Sequence, residues 1–314
     1  MPNWLIKSGL HRLISWLPAT HFWNALLQQY FSHSLELTRE QFETRLDHCH
    51  RHFQTCFEMG SGKPDNARVL ELGTGWFPTV PVGLYLCGAA EIWTFDIAPF
   101  LRRDRMQQML DRFEEFARSG ELEKRLPHLH PERLEKLREF STTWDGRSPA
   151  ELLEKMNIHY CVRDAQQTGL SSGTVDLFIS TAVLEYNPRK VVRSILTEFK
   201  RVGSTNAIQS HYINLRDHYS YFDFSITAFN NLKFTERQWR CLNSPIAWQS
   251  RLRVSDYRAL FGETGHRIIR EDNTKGDPVE LRKVRLAPEF QQYSFEDLLV
   301  LFSWIIARPI AENS

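Results

Sequence analysis

Val69-Leu-Glu-Leu-Gly-Thr-Gly75, followed roughly twenty residues later by Glu91-Ile-Trp-Thr-Phe-Asp96, decides how this chain is read. The first run is short and apolar, as a buried strand is, and it ends in two glycines two apart. There a backbone turns sharply and comes close to a ligand. The second run ends in an acid placed to accept hydrogen bonds from a ribose. Together they form a nucleoside-binding unit. A dinucleotide site usually opens its helix on a third glycine, because pyrophosphate must sit on the helix amides. Here that position is Pro78, preceded by the bulky Trp76 and Phe77, which disfavours pyrophosphate.

Outward from this unit, strand and helix patterns alternate, which predicts a parallel sheet with helices on both faces. Strands are expected at Arg68 to Leu72, Glu91 to Asp96, Ile158 to Arg163, Val175 to Ser180 and Ala207 to Ile213, with later ones at His266 to Arg270 and Leu301 to Arg308. Before them, Leu10, Leu13, Ile14 and Leu17 repeat at helical spacing up to Pro18, and Phe42, Leu46, Cys49, Phe53 and Phe57 form a second stripe. A helical N-terminal subdomain over 1–60 is expected, closed by the linker Gly60-Ser-Gly-Lys-Pro-Asp65, with the main domain over 61–314. The link from Asp96 to Ile158 spans roughly sixty residues where a crossover needs a dozen or more. Its charged, helical content predicts an inserted cap at about 100–157. A second insertion, at about 217–250, is dense in aromatics: Tyr219, Tyr221, Phe222, Phe224, Phe229, Phe234, Trp239 and Trp248.

Glu71-Leu-Gly73-Thr-Gly75 resembles the first motif of the class I S-adenosylmethionine (SAM)-dependent methyltransferases, an acid, a residue, then Gly-x-Gly. The resemblance continues through Asp96, the acidic strand end Asp164 and Val175-Asp-Leu-Phe-Ile-Ser-Thr-Ala-Val-Leu-Glu185, covering most of Val69 to Ile213. It implies an α/β, Rossmann-like seven-stranded, mostly parallel sheet and SAM as cofactor. The implied cofactor residues are Glu71, Gly73, Thr74 and Gly75 in the glycine turn, Asp96 at the ribose with Ile97 beside it, Asp164 and Ala165 at the adenine, and Ser180 facing the crevice. More loosely, Leu252-Arg-Val-Ser-Asp-Tyr257 and Phe261-Gly-Glu-Thr-Gly-His266 look like bacterial members from secondary-metabolite and polysaccharide pathways.

Methyl transfer from a sulfonium is an in-line displacement, so alignment and desolvation dominate, and a general base matters when the acceptor is an alcohol or a protonated amine. The candidates for the acceptor side are His211 and His218, after the fifth strand, and Tyr186, after the fourth. His211, Asp217 and His218 lack a further nearby acid, and no metal is expected there. His48, Cys49, His52 and Cys56 fall within about a third of a helix circumference, but core packing explains the stripe equally well.

The chain's 314 residues carry a net charge of +1, which leaves no global field for nucleic acid. Asn187-Pro188 lacks the flanking residues of an amino-methylating nucleic-acid motif. No window has the apolar length of a membrane span, and no cationic leader precedes an apolar core, so a cytoplasmic location is expected. The five cysteines, an odd number, fit a reducing compartment. The expected activity is methyl transfer to an oxygen or nitrogen of a small-molecule acceptor; the alternative is non-methyl chemistry on the same cofactor, by intramolecular cyclisation or lyase-like displacement.

Overall fold

The computed structural model describes residues 4–5, 36–59, 66–145, 148–243 and 248–310. Its described strands form one seven-stranded sheet in the order β3-β2-β1-β4-β5-β7-β6. These are β1 (Arg68–Leu72), β2 (Glu91–Asp96), β3 (Ile158–Val162), β4 (Val175–Thr181), β5 (Gly203–Asn214), β6 (His266–Lys275) and β7 (Val300–Pro309). The first five pair in parallel, and β7 runs antiparallel between β5 and β6. The seven-stranded, mostly parallel Rossmann-like sheet is as expected, and the seven apolar runs fall on its seven strands.

Alternation along each strand sorts side chains to two faces. Val69, Ile92, Leu177, Ile179 and Ile208 face one layer, built from α1 (Arg39–Met59), α2 (Thr79–Leu86) and α3 (Arg103–Arg118). Leu70, Phe95, Phe178, Ala207 and Ile213 face the other, built from α7 (Arg189–Val202) and α9 (Val254–Glu263). Helix α7 places Val192, Ile195, Leu196, Phe199 and Val202 on one stripe and leaves its charges outside, apart from the buried Glu198, which accepts from the Thr168 amide and hydroxyl.

The segment between β2 and β3 is helical, as expected: after α3 come α4 (Glu121–Arg125), α5 (Pro131–Thr143) and α6 (Pro149–Glu154). Their Phe113, Phe116, Leu122, Leu134 and Leu153 share one apolar core with Phe42 and Leu46 of α1. Helix α1 thus packs into the same core as the sheet. It lies so close to α2 that a Cβ added at Gly83 would stand 2.7 Å from the Cys49 sulfur. The expected helix through Leu10 to Leu17 and the linker over 60–65 lie outside the described residues. So do residues 244–247 of the aromatic insertion. The rest of that insertion holds short 3-10 turns at His218–Tyr221 and Asn230–Lys233 and one helix, α8 (Glu236–Leu242). Its Tyr219 and Trp239 pack with Trp4 in an apolar cluster of their own, while Phe224 is left 92% exposed. Two further helices among the described residues are α10 (Pro278–Arg282) and α11 (Phe295–Leu299). No described helix is long and apolar enough to cross a membrane.

Candidate functional site

Five parallel strands bring five loops to one edge of the sheet, and between β1 and β4 the strand order reverses direction. Crevices at such a switch point, beyond the carboxyl ends of the strands, are where open α/β sheets bind ligands. The turn after β1 stands at its centre. Gly73 has φ of 86° and Gly75 of 62°, both in the left-handed region. A Cβ at Gly73 would lie 2.3 Å from Val183 Cγ2, so the β1 and β4 loops touch through this glycine. A Cβ at Gly75 would meet nothing within 4 Å. Gly73 is needed for protein packing, whereas Gly75 borders open space.

Asp96 ends β2 and steadies the turn. Its Oδ2 accepts from the Gly75 amide at 2.9 Å and its Oδ1 from the Ile97 amide at 2.8 Å. The Ala98 amide acts on the same carboxylate, and of its roughly four acceptor positions one remains for a further donor. Burial raises its pKa, and the backbone donors of Gly75, Ile97 and Ala98 oppose that. Ile97 beside it is 79% exposed, an apolar side chain left uncovered at the mouth of the crevice. Glu71 is buried, and Thr94 donates to its Oε2 at 2.5 Å. Burial pushes its carboxyl up to about 8, against the Thr94 hydrogen bond and the attraction of Arg45 from α1. The Thr74 hydroxyl meets that of Thr94, which ties the turn to the same buried network. Glu71, Gly73, Thr74, Gly75, Asp96 and Ile97 therefore come together.

Asp164 and Ala165 follow β3 on the same edge. Asp164 is exposed and accepts from the Gln166 amide at 2.9 Å and from Gln166 Nε2 at 2.8 Å, capping a short 3-10 turn, while Ala165 is buried against Leu72 and Phe95.

Two expectations are corrected. Ser180 does not turn its side chain to the crevice: it is fully buried, with its Oγ 2.8 Å from His211 Nδ1. His211 is not available to move an acceptor proton. Its Nε2 lies 3.1 Å from Gln209 Oε1, its ring rests between Phe199 and Phe261, and burial drives its pKa to about 3. Alternation sends Gln209, His211 and Ile213 to the α7 and α9 face, where Gln209 continues the chain to His266.

Tyr186 and His218, from the β4 and β5 loops, do meet, with ring centroids 5.1 Å apart, and Tyr221 joins at 6.3 Å from His218. His218 Nε2 is buried without a hydrogen-bond partner among the described residues, and burial lowers its pKa to about 4. Asp217 points elsewhere, to the Tyr219 amide and to Asn230 Nδ2. Sequence reasoning missed the contribution of α1. His52 bridges Ser210 Oγ at 2.9 Å and Thr181 Oγ1 at 3.1 Å, and the His48 ring packs at a tilt against Tyr212, centroids 4.7 Å apart. The signal was an i, i+4 histidine pair within an apolar stripe, which splits on folding: the histidines face the sheet and Cys49 faces Val80 of α2. Among the described residues no His, Cys, Asp or Glu group is arranged to hold a metal.

These buried groups predict the pH dependence of stability. His48, His52, His211, His218 and His266 are all held neutral by burial, with pKa lowered from 6.5 to about 4 for His48, His218 and His266, about 3 for His211 and well below 6.5 for His52. The unfolded chain takes up protons below its ordinary histidine value while the fold does not, so stability falls as pH drops below 6.5. Glu71 and Glu185, raised to about 8, and Asp217, raised to about 6, act in the opposite sense. They stay protonated in the fold after the unfolded chain has ionised, so stability also falls as pH rises toward 8. Urea unfolding across this range should give its highest midpoint between about pH 6 and 7. A midpoint that is flat, or that keeps rising beyond pH 8, would contradict these assignments.

No family profile matches the sequence, and no curated protein does. Among solved structures, the chain is similar to magnesium protoporphyrin IX methyltransferase from Synechocystis PCC 6803 with bound S-adenosylhomocysteine (SAH), at TM-score 0.46 and 13% identity over 93% of this chain and 95% of that one. It is similar to a SAM-dependent methyltransferase from Leishmania major at TM-score 0.46 and 12% identity, over 91% of this chain and 83% of that one. The cyclase SpnF is similar at TM-score 0.42 and 12% identity, over 83% of this chain and 82% of that one. Identities this low leave the site to be judged on its own residues.

Proposed function

We propose that the chain is a SAM-dependent methyltransferase that moves a methyl group to a nitrogen or oxygen of a small-molecule acceptor. The observation that carries this reading is the Gly73 to Gly75 turn held by Asp96: a backbone bordering open space, a carboxylate with acceptor capacity left, and the uncovered Ile97, all within one loop pair. Those features fit an adenosine. Asp96 would take a ribose hydroxyl, Ile97 would be covered by the adenine, and Asp164 and Ala165 would stand at the adenine's amino edge. Glu71, held in the Thr94 and Thr74 network, would support the turn from beneath. Pro78 as helix cap and the wholly buried α2 leave no glycine-rich helix start for a pyrophosphate.

When bound, SAM supplies an electrophilic methyl on a sulfonium. The chain's own work is to hold the nucleoside, exclude water and align an acceptor. The acceptor side is assigned to the β4 and β5 loops, with Tyr186 and His218 as the polar groups there. His218, neutral near pH 7, offers its unpartnered Nε2 as a hydrogen-bonding group to a bound acceptor. We take the protein to act without nucleic acid and from the cytoplasm. Titration calorimetry with SAH, set against NAD, tests the reading; binding of NAD in preference to SAH would overturn it.

A further inference from the structure

The amino edge of the sheet, opposite the crevice, carries a cavity of about 330 Å³. Its walls come from the end of α2, from α5 and from the turn between α6 and β3. The volume falls within the range of small-molecule sites, near its lower end. Three cations line it, Arg133 and Lys136 from α5 and Lys155 after α6, against a single acid, Glu139. Phe140 supplies an aromatic wall.

Arg133 is held in place. Its Nη1 donates to the carbonyls of Tyr85 at 2.7 Å and Ala89 at 2.6 Å, and its guanidinium lies 4.9 Å from the centre of the Tyr85 ring. Only one nitrogen is spent in this way. Nε and Nη2 donate to nothing among the described residues, and the rigid planar fork fixes where they point. The wall beside it is also fixed: Asn157 sits at φ of 56° and donates through Nδ2 to the Ala90 carbonyl at 2.6 Å. Lys136 and Lys155 are exposed and form no ion pair among the described residues, with Lys155 Nζ 5.8 Å from the centre of the Phe140 ring. Elsewhere on α5 charge is neutralised, for Arg138 donates to Glu114 at 2.8 Å and to Glu135 at 2.6 Å.

Three cations facing one carboxylate leave two positive charges in excess around the cavity. A concave surface lined by one sign of charge concentrates its field and draws in the opposite sign. A phosphate monoester is the matching ligand: it carries close to two negative charges near neutral pH and three terminal oxygens, enough for the Arg133 fork and two ammonium groups. A carboxylate brings one charge and two oxygens, and an alcohol brings no charge. We infer that this cavity binds a small phosphate monoester, its phosphate held by Arg133, Lys136 and Lys155 and its organic part laid against Phe140. The site is separate from the nucleoside crevice, because the eight residues of α2, about 12 Å of helix, stand between the glycine turn and the cavity. It does not depend on the methyltransferase reading.

The test is calorimetric titration of the full-length protein, at 0.15 M salt, with phenyl phosphate, inorganic phosphate, benzoate and benzyl alcohol. Phenyl phosphate should bind with a Kd below about 1 mM, severalfold more tightly than inorganic phosphate and at least about tenfold more tightly than benzoate, and benzyl alcohol should not bind. Lys136→Gln and Lys155→Gln should each weaken phenyl phosphate severalfold and together at least about tenfold. Lys283→Gln, at an exposed lysine outside the cavity, should leave it unchanged. SAH should not displace it. Inorganic phosphate or benzoate binding as tightly as phenyl phosphate, a loss in Lys283→Gln equal to that in Lys155→Gln, displacement by SAH, or no binding below 1 mM would overturn the inference. Phenyl phosphate binding without SAH binding would leave this site standing and end the methyltransferase reading; SAH binding without phenyl phosphate binding would do the reverse.

Discussion

Replacing Gly73 by alanine is expected to weaken SAH binding by at least about tenfold and to lower the melting temperature by several degrees. Two costs add. At φ of 86° a non-glycine residue carries roughly 1–2 kcal/mol of backbone strain. The new methyl would also stand 2.3 Å from Val183 Cγ2, a contact that cannot persist, so Val183 must turn or the loops after β1 and β4 must separate. For a chain of this size each kcal/mol corresponds to roughly 2–4 °C. The double variant Gly73→Ala, Val183→Ala should recover part of the loss, because it relieves the contact and keeps the strain. Gly75→Ala, with open space around the added methyl, should cost less stability than Gly73→Ala while still obstructing the cofactor. Thermal melts and calorimetry on these variants separate the two costs. Indifference of both stability and affinity to Gly73→Ala would show that the loops do not meet in this way.

Asp96→Ala is expected to weaken SAH binding about a hundredfold, the largest effect assigned to any single side chain here. A hydrogen bond to a charged group contributes roughly 1.5–3 kcal/mol, and a ribose hydroxyl donates one to this carboxylate. The variant also leaves the amides of Gly75 and Ile97 without the acceptors they have at 2.9 Å and 2.8 Å, so some stability is lost too. Asp96→Asn distinguishes the two effects. It retains one acceptor oxygen for the turn and loses the charge, and should fall between wild type and alanine in affinity with a smaller change in melting. An Asp96→Ala protein that melts early yet binds SAH normally would make Asp96 a turn residue only.

How much of this was legible beforehand depends on which interactions a sequence writes down. β1 and β2 were found with their bounds because a short apolar run ending in glycine or acid encodes burial and turn together. β5 begins at Gly203, earlier than the apolar pattern beginning at Ala207, and β6 runs on to Lys275 past the expected end at Arg270. In both cases the added residues are mostly polar; those of β6 are held by the backbone ladder to β7, which leaves no side-chain pattern, and in β5 Gly203 pairs with Val175 across an irregularity before regular pairing begins at Ile208. His211 and Ser180 show a different gap. Period-two alternation tells that neighbours face opposite ways, but which face adjoins the crevice depends on where α7 and α9 pack. Glu185 was visible as a residue after β4, whereas its burial arises from Ser250 and the β5 loop, far along the chain. Likewise the His48 and His52 pair reads as part of a core stripe until α1 is laid against Tyr212, Thr181 and Ser210.

The carboxyl edge of this sheet is proposed to hold an adenosine carrying a sulfonium. The most direct measurement is calorimetric titration of the wild-type protein with SAH and, separately, with NAD. Saturable one-to-one binding of SAH, little or none of NAD, and loss of the SAH signal in Asp96→Ala are expected. Absence of SAH binding by the folded wild-type protein, or tighter binding of NAD, would contradict it.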